Sequence, residues 1–309
     1  PQAVRDMEED MTRIVREVIA SAAELGECDF PEHFAEQVPL RITAAMMGIP
    51  ERYFESIVLN SWKYLHCFDT EVLPDGLQSI EEGCAGLAAV ALELGELRRQ
   101  NPTGDLTSSL ANAIIDDAES GERRPLTENE YVSFWLTMVT GGTETTRIAI
   151  NHGMEQLTLH PDQRDLWQGD RSLTRTAVEE IIRWATPATY FRRVATRDTE
   201  LGGVEIKAGD RLVLWYCSAD RDEEVYDRPY EFDITRRPNP HLGFGGGGPH
   251  HCIGVAIARM ELAVFFEQLF DLLPDLEISG PMERVHGFYM PDVKRMPCKF
   301  TPRRIDLDG

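Results

Sequence analysis

The residues with the clearest chemical potential surround one cysteine, in the stretch His241–Met260, HLGFGGGGPHHCIGVAIARM. Phe244 opens a run of four glycines, Gly245 to Gly248. Pro249, His250, His251 and Cys252 follow, and an apolar, helix-like pattern begins directly after the cysteine. Glycines let a chain turn sharply and let a flat ligand approach the backbone. A cysteine at a helix start has its thiolate favoured by unpaired amides and by the helix dipole. One thiolate so placed suits an axial ligand of haem iron, where it pushes electron density toward O–O cleavage. The competing readings are an inert core cysteine and an ordinary glycine-rich loop. The run is not a phosphate cradle, since no Lys-Ser/Thr follows it.

Two further clusters have chemical character. Gly141-Gly142-Thr143-Glu144-Thr145-Thr146 stands in the middle of a long apolar-periodic helix that starts at a Thr127/Glu130 capping box. Adjacent glycines there cost about 1 kcal/mol each relative to alanine, and threonines can bond carbonyls of the preceding turn and bend the helix. A local kink beside a ligand is one explanation, and close packing against a neighbouring helix is the other. An acid at Glu144 beside the Thr145 hydroxyl could relay protons to bound dioxygen. Glu180 and Arg183, three apart, share one helix face; by default such a pair is a weak surface salt bridge.

The elements that must carry these residues are mostly helices. Residues 2 to 25 form an amphipathic pattern through Val4, Met7, Met11, Ile14, Val15, Val18 and Ile19. Pro31 to Met47 reads as a second helix, and Pro50 restarts a third with Tyr53, Phe54, Ile57 and Trp62. Leu77 to Arg99 ends at Asn101-Pro102-Thr103-Gly104, and Asp105 starts a short helix. Leu126 to His160 and Leu173 to Ala185 follow. After Pro187 the period changes to two: 193–195, 200–206 and 211–216 read as short strands with tight turns. The stripe Val255, Ala258, Leu262, Phe265, Leu269 and Leu273 is a helix core closed by Pro274.

The chain is long enough, at 309 residues and 42% hydrophobic, for one large domain or two. Its net charge of −22 opposes long-range attraction to nucleic acid or anionic membrane. No apolar run reaches the length of a bilayer span. The six cysteines show no CxxC pair, which suits a reducing, cytoplasmic setting.

Taken in order, these segments resemble the cytochrome P450 family of haem-thiolate monooxygenases, in its soluble bacterial form. One departure is the extra glycine, which sets Phe244 eight residues before Cys252 instead of the commoner seven. The loop FGGGGPHHCIG and the segment from Ala185 to Arg193 look most like actinobacterial members that hydroxylate sterol side chains or methyl-branched lipids. The resemblance implies a mainly α fold with small β-sheets, a single haem domain over residues 1–309. This is the C-terminal three quarters of the usual domain, with its upstream helices missing, which bears directly on haem retention.

It also implies roles. Cys252 is the metal ligand of haem b; His250 and Arg193 pair with its propionates; Phe244, Gly245, Gly254, Gly141 and Gly142 lie against it. Glu144 and Thr145 are the catalytic proton-delivering pair. Glu180, Arg183 and Arg236 form a structural ion-pair network, and His251 has no assigned role. Phe134, Met138, Val139, Ala188, Thr189, Tyr190, Phe288 and Tyr289 line the substrate pocket. Electrons come from outside, from a ferredoxin with its NAD(P)H reductase, since no flavin or nicotinamide fingerprint is present. The expected reaction inserts one atom of dioxygen into a C–H bond of an apolar substrate: a sterol side chain, a branched lipid or a terpenoid. The alternatives are a peroxide-driven enzyme of this fold and a non-catalytic haem-binding or inactive truncated protein.

Overall fold

The structure, a computed structural model, describes residues 7–117 and 120–307. Val4, assigned above to the first helix, lies outside the described residues. That helix, Glu8–Ala22, turns Met11, Ile14, Val15, Val18 and Ile19 inward. Pro31 starts a π-helix, Pro31–Ala35, which leads into the helix Gln37–Met47, closed by Gly48 in the left-handed region. The single helix read over Pro31–Met47 is therefore two. A 3₁₀ turn, Glu51–Tyr53, leads into Phe54–Leu65, and Gln78–Gln100 packs against it. Asp105 caps Leu106–Ala111 by accepting from the Ser108 amide.

The long helix Glu128–Leu159 begins at a complete capping box, with Thr127 and Glu130 each accepting from the other's backbone amide. It serves two hydrophobic cores. Its first half, Tyr131, Trp135 and Val139, joins Leu40, Met47, Ile57, Leu87 and Leu94 in a smaller core. Its second half, from Ile148 to Leu157, enters a larger one with Val15, Phe34, Val178, Ile181, Phe265 and Phe266. Gly141–Thr146 stands between the two, and the helix remains α-helical throughout. The hydroxyls of Thr140, Thr143 and Thr145 each bond the carbonyl four residues back, as expected of threonines in a helix interior.

The strands are short. Tyr190–Val194 pairs antiparallel with Arg211–Trp215, and Thr199–Leu201 with Val204–Ile206 through Gly202 and Gly203, both at positive φ. Two consecutive positive φ angles are what a two-residue hairpin turn of the primed type needs. Glu27–Asp29, Pro297–Lys299 and Glu277–Ile278 form a three-stranded sheet, and Ile114–Asp116 pairs with Arg123–Pro125. These last pairings carry no clear period in the sequence, since each strand has only two or three residues. Among the described residues no helix is long and apolar enough to cross a membrane.

Candidate active site

The cysteine loop is held from both ends. The Cys252 amide donates to the Phe244 carbonyl at 3.0 Å, and the Gly245 amide donates to Leu242 at 2.7 Å. Gly245, Gly247 and Gly248 have φ of +84°, +90° and +77°, a region in which L side chains are strained. The helix Val255–Leu272 begins three residues beyond Cys252, with Gly254 at its N-cap. A Cβ on Gly254 would lie 3.7 Å from the Cys252 sulfur, an ordinary van der Waals contact. Cys252 itself is a free, exposed thiol.

The loop is fastened to the helix Thr174–Ala185. A Cβ on Gly243 would meet the Ile182 side chain at 2.6 Å. Glu179 hydrogen-bonds His241 at 2.7 Å and accepts from two Arg259 nitrogens, at 2.6 and 2.9 Å. Burial pushes the Glu179 carboxyl up, but His241 and Arg259 outweigh it and hold it down at about 2. Glu179 thus joins this helix to both sides of the cysteine. Sequence reasoning missed it, since its partners lie 62 and 80 residues away.

One residue further on, Glu180 and Arg183 are fully buried. Arg183 grips Glu180 through two bonds of 2.8 and 2.7 Å; Arg236, Asn239 and the Asp233 amide complete the carboxylate's shell at 3.2, 3.1 and 2.9 Å. Arg183 also donates to the carbonyls of Asp220, Pro229 and Glu231, and Arg236 to those of Asp227, Arg228 and Glu231. The network therefore closes the irregular chain segment that leads into the cysteine loop. A surface salt bridge would not have this shell.

Glu144 and Thr145 occupy different environments. The Thr145 hydroxyl donates to the Gly141 carbonyl at 2.7 Å and is partly exposed. Glu144 is buried, 2.8 Å from an Arg147 nitrogen and 3.7 Å from His66 Nε2. Asp292 bonds Arg147 and lies 3.0 Å from His66. Burial pulls the His66 imidazole down, but Asp292 and Glu144 more than reverse this, so its pKa is raised. Burial raises Asp292, yet Arg147 and His66 bring it below its ordinary value. Arg147, His66 and Asp292 were not read from the sequence. Only Arg147's spacing of three from Glu144 was available as a signal.

The two glycines divide. A Cβ on Gly141 would meet nothing within 4 Å, whereas one on Gly142 would lie 2.8 Å from the Thr43 hydroxyl. Gly142 is thus required by close packing on the helix Gln37–Met47, and Gly141 faces open space.

The remaining assigned residues are spread. His250 and Arg193 are exposed, and the Arg193 guanidinium donates to the neighbouring Arg192 carbonyl. Tyr190 lies 4.9 Å from Trp215, 5.7 Å from Tyr289 and 6.1 Å from Phe288 by ring centroids. Phe68 joins Phe288 at 4.7 Å. The Thr189 amide donates to the Tyr289 carbonyl, which draws the tail to this strand beside the half-buried Ala188. Phe134 is exposed and Met138 half-buried. Val139, by contrast, is fully enclosed in the smaller core; it lines no open pocket, because its helix face meets the helices Gln37–Met47 and Gln78–Gln100.

Residues 2–294 match the family description "Cytochrome P450". The chain belongs to the cytochrome P450 family. It is 41% identical over 300 residues to a methyl-branched lipid omega-hydroxylase of Mycobacterium tuberculosis, covering 97% of this chain and 68% of that protein. A steroid C26-monooxygenase of Mycolicibacterium smegmatis is 36% identical over 303 residues, with the same two coverages. The solved structure of a Mycobacterium marinum cytochrome P450 in complex with pseudoionone superposes with a TM-score of 0.92 at 36% identity, over 97% of this chain and 72% of that one. The chain is accordingly an oxidoreductase of the P450 monooxygenase family, whose members use haem and an external electron donor.

The residues present fit a haem. Cys252 offers an uncovered soft donor on a loop whose glycines carry no side chains to obstruct a flat ring, and the cationic Arg193 with the His250 imidazole stand exposed for carboxylates.

Proposed function

We propose that the protein hydroxylates an elongated apolar molecule, a branched lipid or a sterol side chain, with haem b held by Cys252 and electrons delivered by a ferredoxin and its reductase. Haem supplies the activation of dioxygen when bound; the polypeptide supplies ligation, proton access and substrate orientation. The observation that carries this reading is the Cys252 loop: a free thiol, its amide fixed to Phe244, between two helices tied together by Glu179.

Within that reading Cys252 gives its thiolate to iron, and His250 and Arg193 neutralise the propionates. Thr145, anchored to Gly141, presents a hydroxyl that can pass a proton, and Glu144 replenishes it from the buried side of the helix. Tyr190, Phe288 and Tyr289 give one apolar wall with a hydroxyl-bearing edge, suited to a long hydrocarbon with one polar end. The mycobacterial relatives act on methyl-branched lipid and steroid, which supports the same substrate class here.

The carbon monoxide difference spectrum of the reduced, haem-loaded protein tests this. A thiolate-type Soret band is expected, and Cys252→Ala should abolish it; a band that survives the substitution would overturn the ligand assignment.

A further inference from the structure

Behind the helix Glu128–Leu159 the described residues border a small cavity, lined by Glu36, Ser61, Thr143, Glu144 and Arg147 together with Leu40, Ile57 and Val58, so that a few polar groups converge on a mainly apolar space. Three buried polar atoms on these side chains have no hydrogen-bond partner: Ser61 Oγ, Glu144 Oε2 and Arg147 Nε. Glu144 Oε2 is 2.8 Å from an Arg147 nitrogen but outside hydrogen-bonding geometry, so the ion pair leaves its lone pairs unused. Ser61 is wholly buried, Arg147 is 2% exposed and Glu144 4%. Unpaired groups at such depth are costly. The space measures about 10 Å³ for the centre of a water-sized sphere, on the order of what one molecule needs, and a buried water typically makes about three hydrogen bonds. One donor (Arg147 Nε–H), one acceptor (Glu144 Oε2) and one hydroxyl able to do either (Ser61) match that requirement.

The cavity has one charged member that reaches solvent. The Glu36 side chain is 22% exposed, borders the same space and lies 3.5 Å from Arg147. From this geometry we infer that the cavity holds a structural water linking Glu36 to Glu144, and that Glu36 and Ser61 are positioning residues through which protons reach Glu144 from outside. The transfer balances without any oxidant. Glu36 takes a proton from bulk water and gives it to the enclosed water. That water passes one of its own to Glu144, which gives its proton onward, so every group returns to its starting state. Glu36 suits the duty: burial raises its pKa, as does the nearby Glu144, against the lowering influence of Arg147. The other charged groups at hand, His66 and Asp292, hold Arg147 and Glu144 from the opposite side without lining the cavity.

This inference rests on the proton-relay reading of Glu144, and its test keeps the two apart. A high-resolution structure of the haem-loaded protein should show an ordered water within hydrogen-bond distance of Ser61 Oγ, Glu144 Oε2 and Arg147 Nε, absent or displaced in Ser61→Val. A dry cavity in the wild type would overturn the proposal. Turnover, product formed per electron pair and the solvent isotope effect are then compared for Glu144→Gln, Glu36→Gln, Glu36→Asp and Ser61→Ala. Glu144→Gln is expected to lower turnover by about 10²-fold, and Glu36→Gln by about tenfold with a larger solvent isotope effect, partly rescued in Glu36→Asp. If Glu144→Gln is impaired while Glu36→Gln and Ser61→Ala behave as wild type, the entry route is wrong and the relay stands. If Glu144→Gln is itself unimpaired, the relay reading fails and the route with it.

Discussion

Two Glu–Arg pairs with the same spacing of three, both buried in helices, end in opposite states. Around Glu180 every oxygen is used: two bonds from Arg183 and one each from Arg236, Asn239 and the Asp233 amide. Around Glu144 one oxygen has no hydrogen bond, Arg147 Nε has none, and a small cavity adjoins both. A buried ion pair is worth keeping only when its remaining lone pairs and protons are met. The first pair meets that condition and holds one conformation. The second retains unused capacity, which is what a group that must accept and release protons needs. The same pair of residue types is thus a saturated clamp in one place and, on the proposed reading, a site of proton exchange in the other.

The sharpest way to break the comparison is to remove the clamp. Glu180→Gln should cost about 4 kcal/mol, since it leaves Arg183 and Arg236 with uncompensated buried charge, measured as a lower urea midpoint of unfolding at unchanged slope. Glu144→Gln should cost less, about 1–2 kcal/mol, because Asp292 still pairs with Arg147. If the two substitutions proved equally destabilising by the same urea titration, the distinction between clamp and exchange site would collapse.

A third buried glutamate extends the contrast. Glu261, in the helix Val255–Leu272, is 2% exposed with one oxygen unpartnered, and burial raises its pKa to about 8. Its folded-state pKa lies above its unfolded value, near 4.3. The folded form therefore favours the protonated acid. Its full stability is present below that unfolded value and is lost as pH climbs toward 8. Over this window the loss from Glu261 is about 1.4 kcal/mol per pH unit. Glu261→Gln should flatten that part of the stability–pH curve and raise the melting temperature near pH 8. A curve of unchanged slope would mean that the carboxyl finds a partner.

The last comparison concerns the glycine pair. Gly142→Ala should destabilise by about 1–3 kcal/mol through overpacking against Thr43. Gly141→Ala meets nothing and should gain up to about 1 kcal/mol from helix propensity in the haem-free protein. Thermal melts of the two single variants check this, and equal shifts would dissolve the difference between the faces.

Much was legible in the residues alone. The capping box at Thr127 and Glu130, the proline and glycine boundaries, and the period-two stretch after Pro187 are local signals, and the corresponding elements stand within a few residues of where they were read. The Cys252 loop was readable because glycine, proline and cysteine each restrict the chain or its chemistry over a short span. Misreadings arose where the neighbour, not the sequence, decides. Val139 belongs to a core formed by helices distant in the chain, whereas the approach of Gly142 to Thr43 agrees with the close-packing alternative.

The sequence by itself determined the family and the order of elements, and it singled out the thiol on which the proposed site rests, because these depend on residue type and local spacing. Only the tertiary structure decided which Glu-x-x-Arg pair would be saturated. Glu180 meets its second cation, Arg236, across 56 residues, while Arg147 meets His66 and Asp292 across 81 and 145. Whether a buried carboxylate is clamped or free to exchange a proton depends on which lone pairs the folded chain fills, and no local pattern carries that information.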